Sequence, residues 1–230
     1  MEILGRESRP QPAFRRCRLV LFAATACLVW SALGIPQDSL PPPRLTYSKV
    51  LKGSSPEYLS ISVDTRGDAT YEARKLDEPP SARPLKLSPA TTSRLFQLAE
   101  ALDNFQSLEL ESHKKVANLG FKTFTYEHDG RTNKVEFNYT LRREAQALTD
   151  LFEKISGVIQ HIMVLEHAIK YDHLSLPQEL LLIRMDLDKR ALADPELLVP
   201  ALEKIVRNPR FLHLAQSRAQ AILQRLQKNN

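Results

Sequence analysis

Between Tyr58 and Asp64 apolar and polar residues alternate, with Leu59, Ile61 and Val63 set against Ser60, Ser62 and Asp64. Successive side chains of an extended chain point to opposite faces, so this period predicts a half-buried strand. Arg66-Gly67-Asp68 predicts a turn, and Ala69, Tyr71 and Ala73 mark one side of a return strand that ends at Arg74. The two strands make a hairpin. A loop with Pro79, Pro80 and Pro84 follows. Ser88-Pro89 then predicts a helix start. Serine accepts a hydrogen bond from a free N–H of the first turn, and proline at the first helical position needs no N–H there. Leu95, Leu98, Ala99, Leu102 and Phe105 keep helical spacing.

A second hairpin is expected over Phe121–Tyr139, with Phe124 and Tyr126 on one face and Val135, Phe137 and Tyr139 on the return. Its Asp129-Gly130 pair is a type I′ turn signal. From about Glu144 a long helical stripe runs through Leu148, Leu151, Phe152, Ile155, Ile159, Ile162, Leu165 and Ile169, with Gly157 as a weak point inside it. After Asp172 the pattern is purely helical. Pro177 opens one helix, and Asp194-Pro195 and Asn208-Pro209 each read as an N-cap followed by proline. The stripe Phe211, Leu214, Ala215, Ala219, Ile222, Leu223 and Leu226 belongs to the last helix. This order predicts an α+β fold. A four-stranded antiparallel sheet, built from the two hairpins, carries helices on one face and leaves the other wet, and an all-α C-terminal segment follows.

The start of the chain is different. Arg15, Arg16 and Arg18 precede an apolar run over residues 19–33, and Ala32-Leu33-Gly34 supplies small residues for cleavage. This predicts a signal peptide over residues 1–34. The run is shorter than the roughly 20 residues of a bilayer-spanning helix. An uncleaved N-terminal anchor is the alternative, and it would be the chain's one contact with a membrane. Lipidation at Cys27 is a weaker fit, because Leu28, Val29 and Trp30 continue the apolar run past it. Residues 35–46 read as a proline-rich tether, 47–170 as the α+β domain and 171–230 as the helical segment. Export places the chain in the periplasm or outside the cell. Cys17 and Cys27 both lie in the leader, so the processed chain is expected to be cysteine-free.

The leader also biases the charge. Its five arginines and two glutamates give it a net +3 of the chain's +5, leaving +2 for the rest. That balance does not favour a nucleic-acid partner.

The histidines are His113, His128, His161, His167, His173 and His213, and no two stand at the i, i+4 spacing of a helical zinc pair. No metal or cofactor is expected. Asp186 and Asp188 are two apart on a helix and point to different faces, so they do not converge for acid–base work. No G-x-S-x-G is present, and the glycines after the leader are scattered at 53, 67, 120, 130 and 157 rather than clustered into a phosphate loop. The basic last helix, with Arg207, Arg210, Arg218, Arg225 and Lys228, reads as a solvated face. Asn138-Tyr139-Thr140 matches a glycosylation acceptor but falls at a predicted strand.

The segment from Gly53 to Glu72 carries Gly53-x-x-Pro56-x-Tyr58, an alternating strand, Gly67 at the turn and Tyr71 on the return. With Ser88-Pro89 and the second hairpin, residues 47–160 resemble a small exported bacterial α+β domain family of unknown function. The resemblance implies the order hairpin, helix, hairpin, helix. The family often has cysteines around the first glycine, where this chain has Leu51 and Ser55, so no thiol role carries over, and no activity is implied.

The residues therefore suggest a non-catalytic exported domain that binds a protein or envelope component. Its contact surface would be the wet sheet face, with Lys122, Thr123, Thr125, Glu136 and Asn138. Two alternatives stand beside it. One is a hydrolase with His161, His167, Asp172 and His173 meeting at the junction of the two halves. The other is an assembly role for the C-terminal helices.

Overall fold

A computed structural model describes residues 41–118 and 120–229. The expected leader, both cysteines and the first part of the tether lie outside these residues. Among the described residues no helix is long and apolar enough to cross a membrane.

The fold is α+β with an antiparallel sheet, and the sheet has six strands rather than four. In chain order they are β1 (Arg44–Val50), β2 (Tyr58–Asp64), β3 (Asp68–Arg74), β4 (Arg83–Lys86), β5 (Phe121–His128) and β6 (Arg131–Phe137). Their spatial order is β4-β3-β2-β1-β5-β6. The two expected hairpins are β2–β3 and β5–β6, but they do not pair with each other. β1 lies between them, antiparallel to β2 on one side and to β5 on the other. The tether therefore ends at Pro43, and residues 44–46 already belong to the sheet. β4 falls within the expected proline loop. Its Pro84 lacks an N–H, which an edge strand tolerates.

The helices are α1 (Pro89–Glu100), α2 (Arg143–Tyr171), α3 (Leu176–Asp188), α4 (Val199–Arg207) and α5 (His213–Asn229). Ser88 caps α1 as expected, its hydroxyl accepting the Thr91 N–H at 3.1 Å. α1 stops at Glu100, so Phe105 is not part of it. Phe105 is buried instead from a short 3-10 turn at Asp103–Phe105. Asp129 and Gly130 have φ of 49° and 72°, the type I′ conformation. Gly67 has φ of 85°, and a Cβ there would come within 2.8 Å of the Leu87 carbonyl oxygen, so the turn requires glycine.

Strand parity sets the core. Leu45, Tyr47, Leu59, Ile61, Val63, Ala69, Tyr71, Phe124, Val135 and Phe137 all face one way and are buried against α1 and the first half of α2. Phe124 is at the centre. Its ring lies 5.3 Å from Phe105 and Phe137, 5.7 Å from Tyr47 and 6.4 Å from Phe152. A second core joins Val158, Leu165 and Ala168 of α2 to α3, α4 and α5. α2 thus presents one stripe to the sheet and another to the C-terminal helices. Both cores belong to one compact unit from Pro41 to Asn230.

The two expected proline-linked caps are not caps. Asp194 has φ of 52° and makes no capping bond to its own turn, the 3-10 segment Pro195–Leu198. It reaches α1 instead, accepting hydrogen bonds from the Ser88 N–H at 2.7 Å, the Ser88 hydroxyl at 2.7 Å and the Thr91 hydroxyl at 2.5 Å. Asn208 takes the Arg210 N–H at 3.0 Å and holds a turn, and α5 starts only at His213. Leu214, expected on the buried stripe, is exposed.

Three carboxylates pin the loops at the strand ends. Burial alone would raise the Asp64 carboxyl, but hydrogen bonds from the Arg66 guanidinium and from the N–H groups of Asp68 and Arg66 outweigh it and hold the group below its usual value. The Gly53 and then the Leu76 N–H groups lower Glu57, and the Asn138 N–H at 2.6 Å leads the lowering of Glu111. A carboxyl lowered in the folded state stabilises that state above its unfolded value and loses the effect as pH falls through the folded value. The melting temperature should therefore drop steadily from about pH 5 to about pH 2. Asp64→Asn should lower stability at neutral pH and flatten part of this slope in a thermal melt series.

Candidate functional site

The face of the sheet opposite the core carries small hydroxyl side chains at its centre, with a charged row of Arg44, Asp64 and Glu127 across one end of the strands. Cross-strand register aligns the hydroxyls into two rows. One row runs Thr70, Ser62, Thr46, Thr125 and ends at Lys134. The other runs Glu72, Ser60, Ser48, Thr123 and ends at Glu136. Neighbouring hydroxyls in a row are separated by the interstrand distance of about 4.8 Å, and the rows by two residues of strand, about 6.6 Å. A third row is apolar and aromatic: Tyr58, Val50 and Phe121 lie in register, with the Arg74 guanidinium 4.6 Å above the Tyr58 ring. Phe121 is half exposed. The buried strand residues that form the core all have the opposite parity, so α1 and α2 lie on the other side. One hydrogen bond, from Thr46 Oγ1 to Ser62 Oγ at 2.9 Å, links two hydroxyls of the array. Within the two hydroxyl rows charge stands only at the ends, and their centre is neutral.

Of the residues expected on this face, Thr123, Thr125 and Glu136 are there. Lys122 is not. It shares the parity of Phe124 and Tyr126 and turns toward the core side, where its Nζ donates to the carbonyls of Asn138 at 2.9 Å and Gly120 at 3.2 Å. Burial, and then Lys49, hold its pKa below that of an ordinary lysine. Asn138 lies past the end of β6. Its N–H binds Glu111 and its side-chain amide donates to the Ala117 carbonyl at 3.2 Å. Ser60 and Ser62, expected on the polar side of their strand, are on this face too, and Thr46, Ser48 and Thr70 join them without having been expected, although each alternates with a buried apolar residue. The signal was the T-x-S of β1, the S-x-S of β2 and the T-x-E of β3 beside the T-x-T of β5.

The junction residues do not form one constellation. His161 pairs with Asp186 of α3 at 3.0 Å, the His167 ring packs on Tyr171, and His173 bonds the Ile169 carbonyl at 2.9 Å and abuts the Phe211 ring. Asp172 is exposed and ends α2, its carbonyl accepting the Ser175 N–H at 3.2 Å. Among the described residues no group of three His, Cys, Asp or Glu side chains is placed to hold a metal ion.

On the core side, the Tyr47 hydroxyl and Lys49 Nζ both donate to Glu153 Oε1 of α2 at 2.8 Å. Burial, with the Glu153 charge beside it, pushes the Tyr47 hydroxyl far above the usual tyrosine range. This bond orients Tyr47 against Phe152, whose ring stacks on it at 5.1 Å. The arrangement ties α2 to the central strand and keeps the sheet beneath the hydroxyl array fixed.

No protein-family model matches the chain, and no curated protein matches it.

Proposed function

We propose that this chain is a non-catalytic binding domain of the cell envelope, exported by its N-terminal segment, and that the uncovered sheet face receives a neutral, hydroxyl-rich polymer such as a glycan strand. One observation carries the reading: seven Ser and Thr hydroxyls from four adjacent strands stand in register beside an apolar row. Hydroxyls at fixed spacing donate to and accept from the hydroxyls of a sugar chain, and aromatic rings supply an apolar platform with a polar edge. The neutral centre asks the ligand to give up no charge. The resemblance of residues 47–160 to a small exported domain family, and the basic apolar leader, support the envelope location.

The test is co-sedimentation of the processed chain with insoluble chitin and with purified peptidoglycan. Thr46→Lys combined with Thr125→Lys places two ammonium groups in the middle of the array. Binding to at least one polymer should then fall by about tenfold or more, equivalent to about 1.4 kcal/mol. Glu179→Lys, on α3, should bind as the parent does. Equal sedimentation of parent and double variant would contradict the reading.

A further inference from the structure

The two most exposed large apolar side chains among the described residues are Leu174, at 78%, and Tyr171, at 66%. They lie where α2 ends and the turn into α3 begins. Leu212 and Leu214, each about half exposed, lie where the segment after α4 enters α5. The two connections adjoin, because the His173 ring meets the Phe211 ring edge-on at 4.8 Å. The Arg218 guanidinium donates to the Pro177 carbonyl and holds the first turns of α5 beside the start of α3. Single apolar residues on a surface are ordinary. Four of them on adjoining connections at one end of the helical segment make a patch.

The charge of this end is one-sided. Residues 170–174 and 207–214 hold Lys170, Arg207 and Arg210 against one carboxylate, Asp172. Arg207 is paired with Glu203 at 2.7 Å. Lys170 and Arg210 form no ion pair among the described residues. Lys170 Nζ lies 4.9 Å from the centre of the Tyr171 ring, and His167 packs on the same ring. A second copy of the chain set against this end would bring cation against cation. A bilayer with anionic headgroups matches both features at once. Leucine side chains and a tyrosine ring suit the boundary between headgroups and acyl chains, and cations on long aliphatic stems reach the phosphates.

We propose that this end of the helical segment rests on an anionic phospholipid surface. Tyr171, Leu174, Leu212 and Leu214 enter the headgroup region, and Lys170 and Arg210 contact phosphates. The contact is peripheral, since no described helix is long and apolar enough to cross a membrane. It uses no residue of the hydroxyl face, so polymer binding and lipid binding can fail independently.

The test is sedimentation of residues 35–230 with vesicles of equal parts phosphatidylglycerol and phosphatidylcholine, and with vesicles of phosphatidylcholine alone. Binding to the anionic vesicles that weakens with added salt is expected. Leu174→Ser combined with Leu212→Ser should weaken it by about tenfold or more, because each buried methylene contributes. Lys170→Glu combined with Arg210→Glu should do the same by reversing the charge. Leu174→Trp gives a readout that does not depend on loss of binding. The chain's only tryptophan, Trp30, lies outside residues 35–230, so the introduced indole is alone. Its emission should shift to the blue with anionic vesicles and stay fixed with phosphatidylcholine. No sedimentation with either vesicle, parental binding in either double variant, or an unmoved emission would overturn the proposal. So would a lipid-free dimer that Leu174→Ser with Leu212→Ser turns into a monomer, which would assign the patch to a second copy.

Discussion

Asp194→Ala should be among the most destabilising substitutions in this chain. The carboxylate is nearly buried and accepts three hydrogen bonds from the first turn of α1, over a sequence separation of 103 to 106 residues. It serves two purposes at once. It satisfies a backbone donor of α1 together with two hydroxyls, and it fixes the segment between α3 and α4 against the sheet domain. Truncation leaves the Ser88 N–H and the Thr91 hydroxyl without their acceptor. Hydrogen bonds to a charged acceptor and loss of a helix cap together imply about 3 kcal/mol. For a unit of this size that is a drop of about 6–12 °C in melting temperature by calorimetry. Asp194→Asn keeps the shape and tolerates the left-handed backbone, so about half the loss is expected. A melting temperature within about 2 °C of the parent for Asp194→Ala would show that this contact is not what joins the two parts.

Phe124→Ala should cost as much or more. Phe124 is fully buried and meets the rings of Tyr47, Phe105, Phe137 and Phe152. Those rings come from β1, the 3-10 turn, β6 and α2, so no single neighbour can move to close the space. Large-to-small changes in such a site cost about 3–5 kcal/mol, a drop of about 6–20 °C. Phe124→Leu keeps most of the volume and should cost about 1–2 kcal/mol. Because Phe124 lies between Thr123 and Thr125, the alanine variant should also weaken polymer binding without touching the outer face. A urea melt and the chitin assay on the same preparation would check both effects.

Much of the fold could be read in the chain. The alternation of Leu59, Ile61 and Val63, the Asp129-Gly130 turn and the Ser88 cap are local signals, and each acts through neighbours within a few residues. β1 was hidden for a local reason too. The run Pro41-Pro42-Pro43 leads directly into it, and Lys49 stands at its third inward place, where a hydrophobic residue would have shown the period. Lys49 and Lys122 stand opposite each other in the register, Lys49 bonded to Glu153 and Lys122 to the carbonyls of Asn138 and Gly120. The same parity that buries Phe124 turns Lys122 inward, which the spacing already implied. The role of Asp194 was not readable, because Asp-Pro has the local form of a cap and the true partners are more than 100 residues away. The hydroxyl face was half legible. Thr123 and Thr125 stood out, whereas the rows exist only once β1 is inserted and aligns Thr46 with Ser62 and Thr125.

The most direct measurement is hydrogen–deuterium exchange of residues 35–230 with and without a soluble chitin oligosaccharide. Slower exchange confined to β1, β2 and β5, around Thr46–Ser48, Ser60–Ser62 and Thr123–Thr125, is the expected result. Protection absent from these strands and found instead on α3, α4 or α5 would contradict the account.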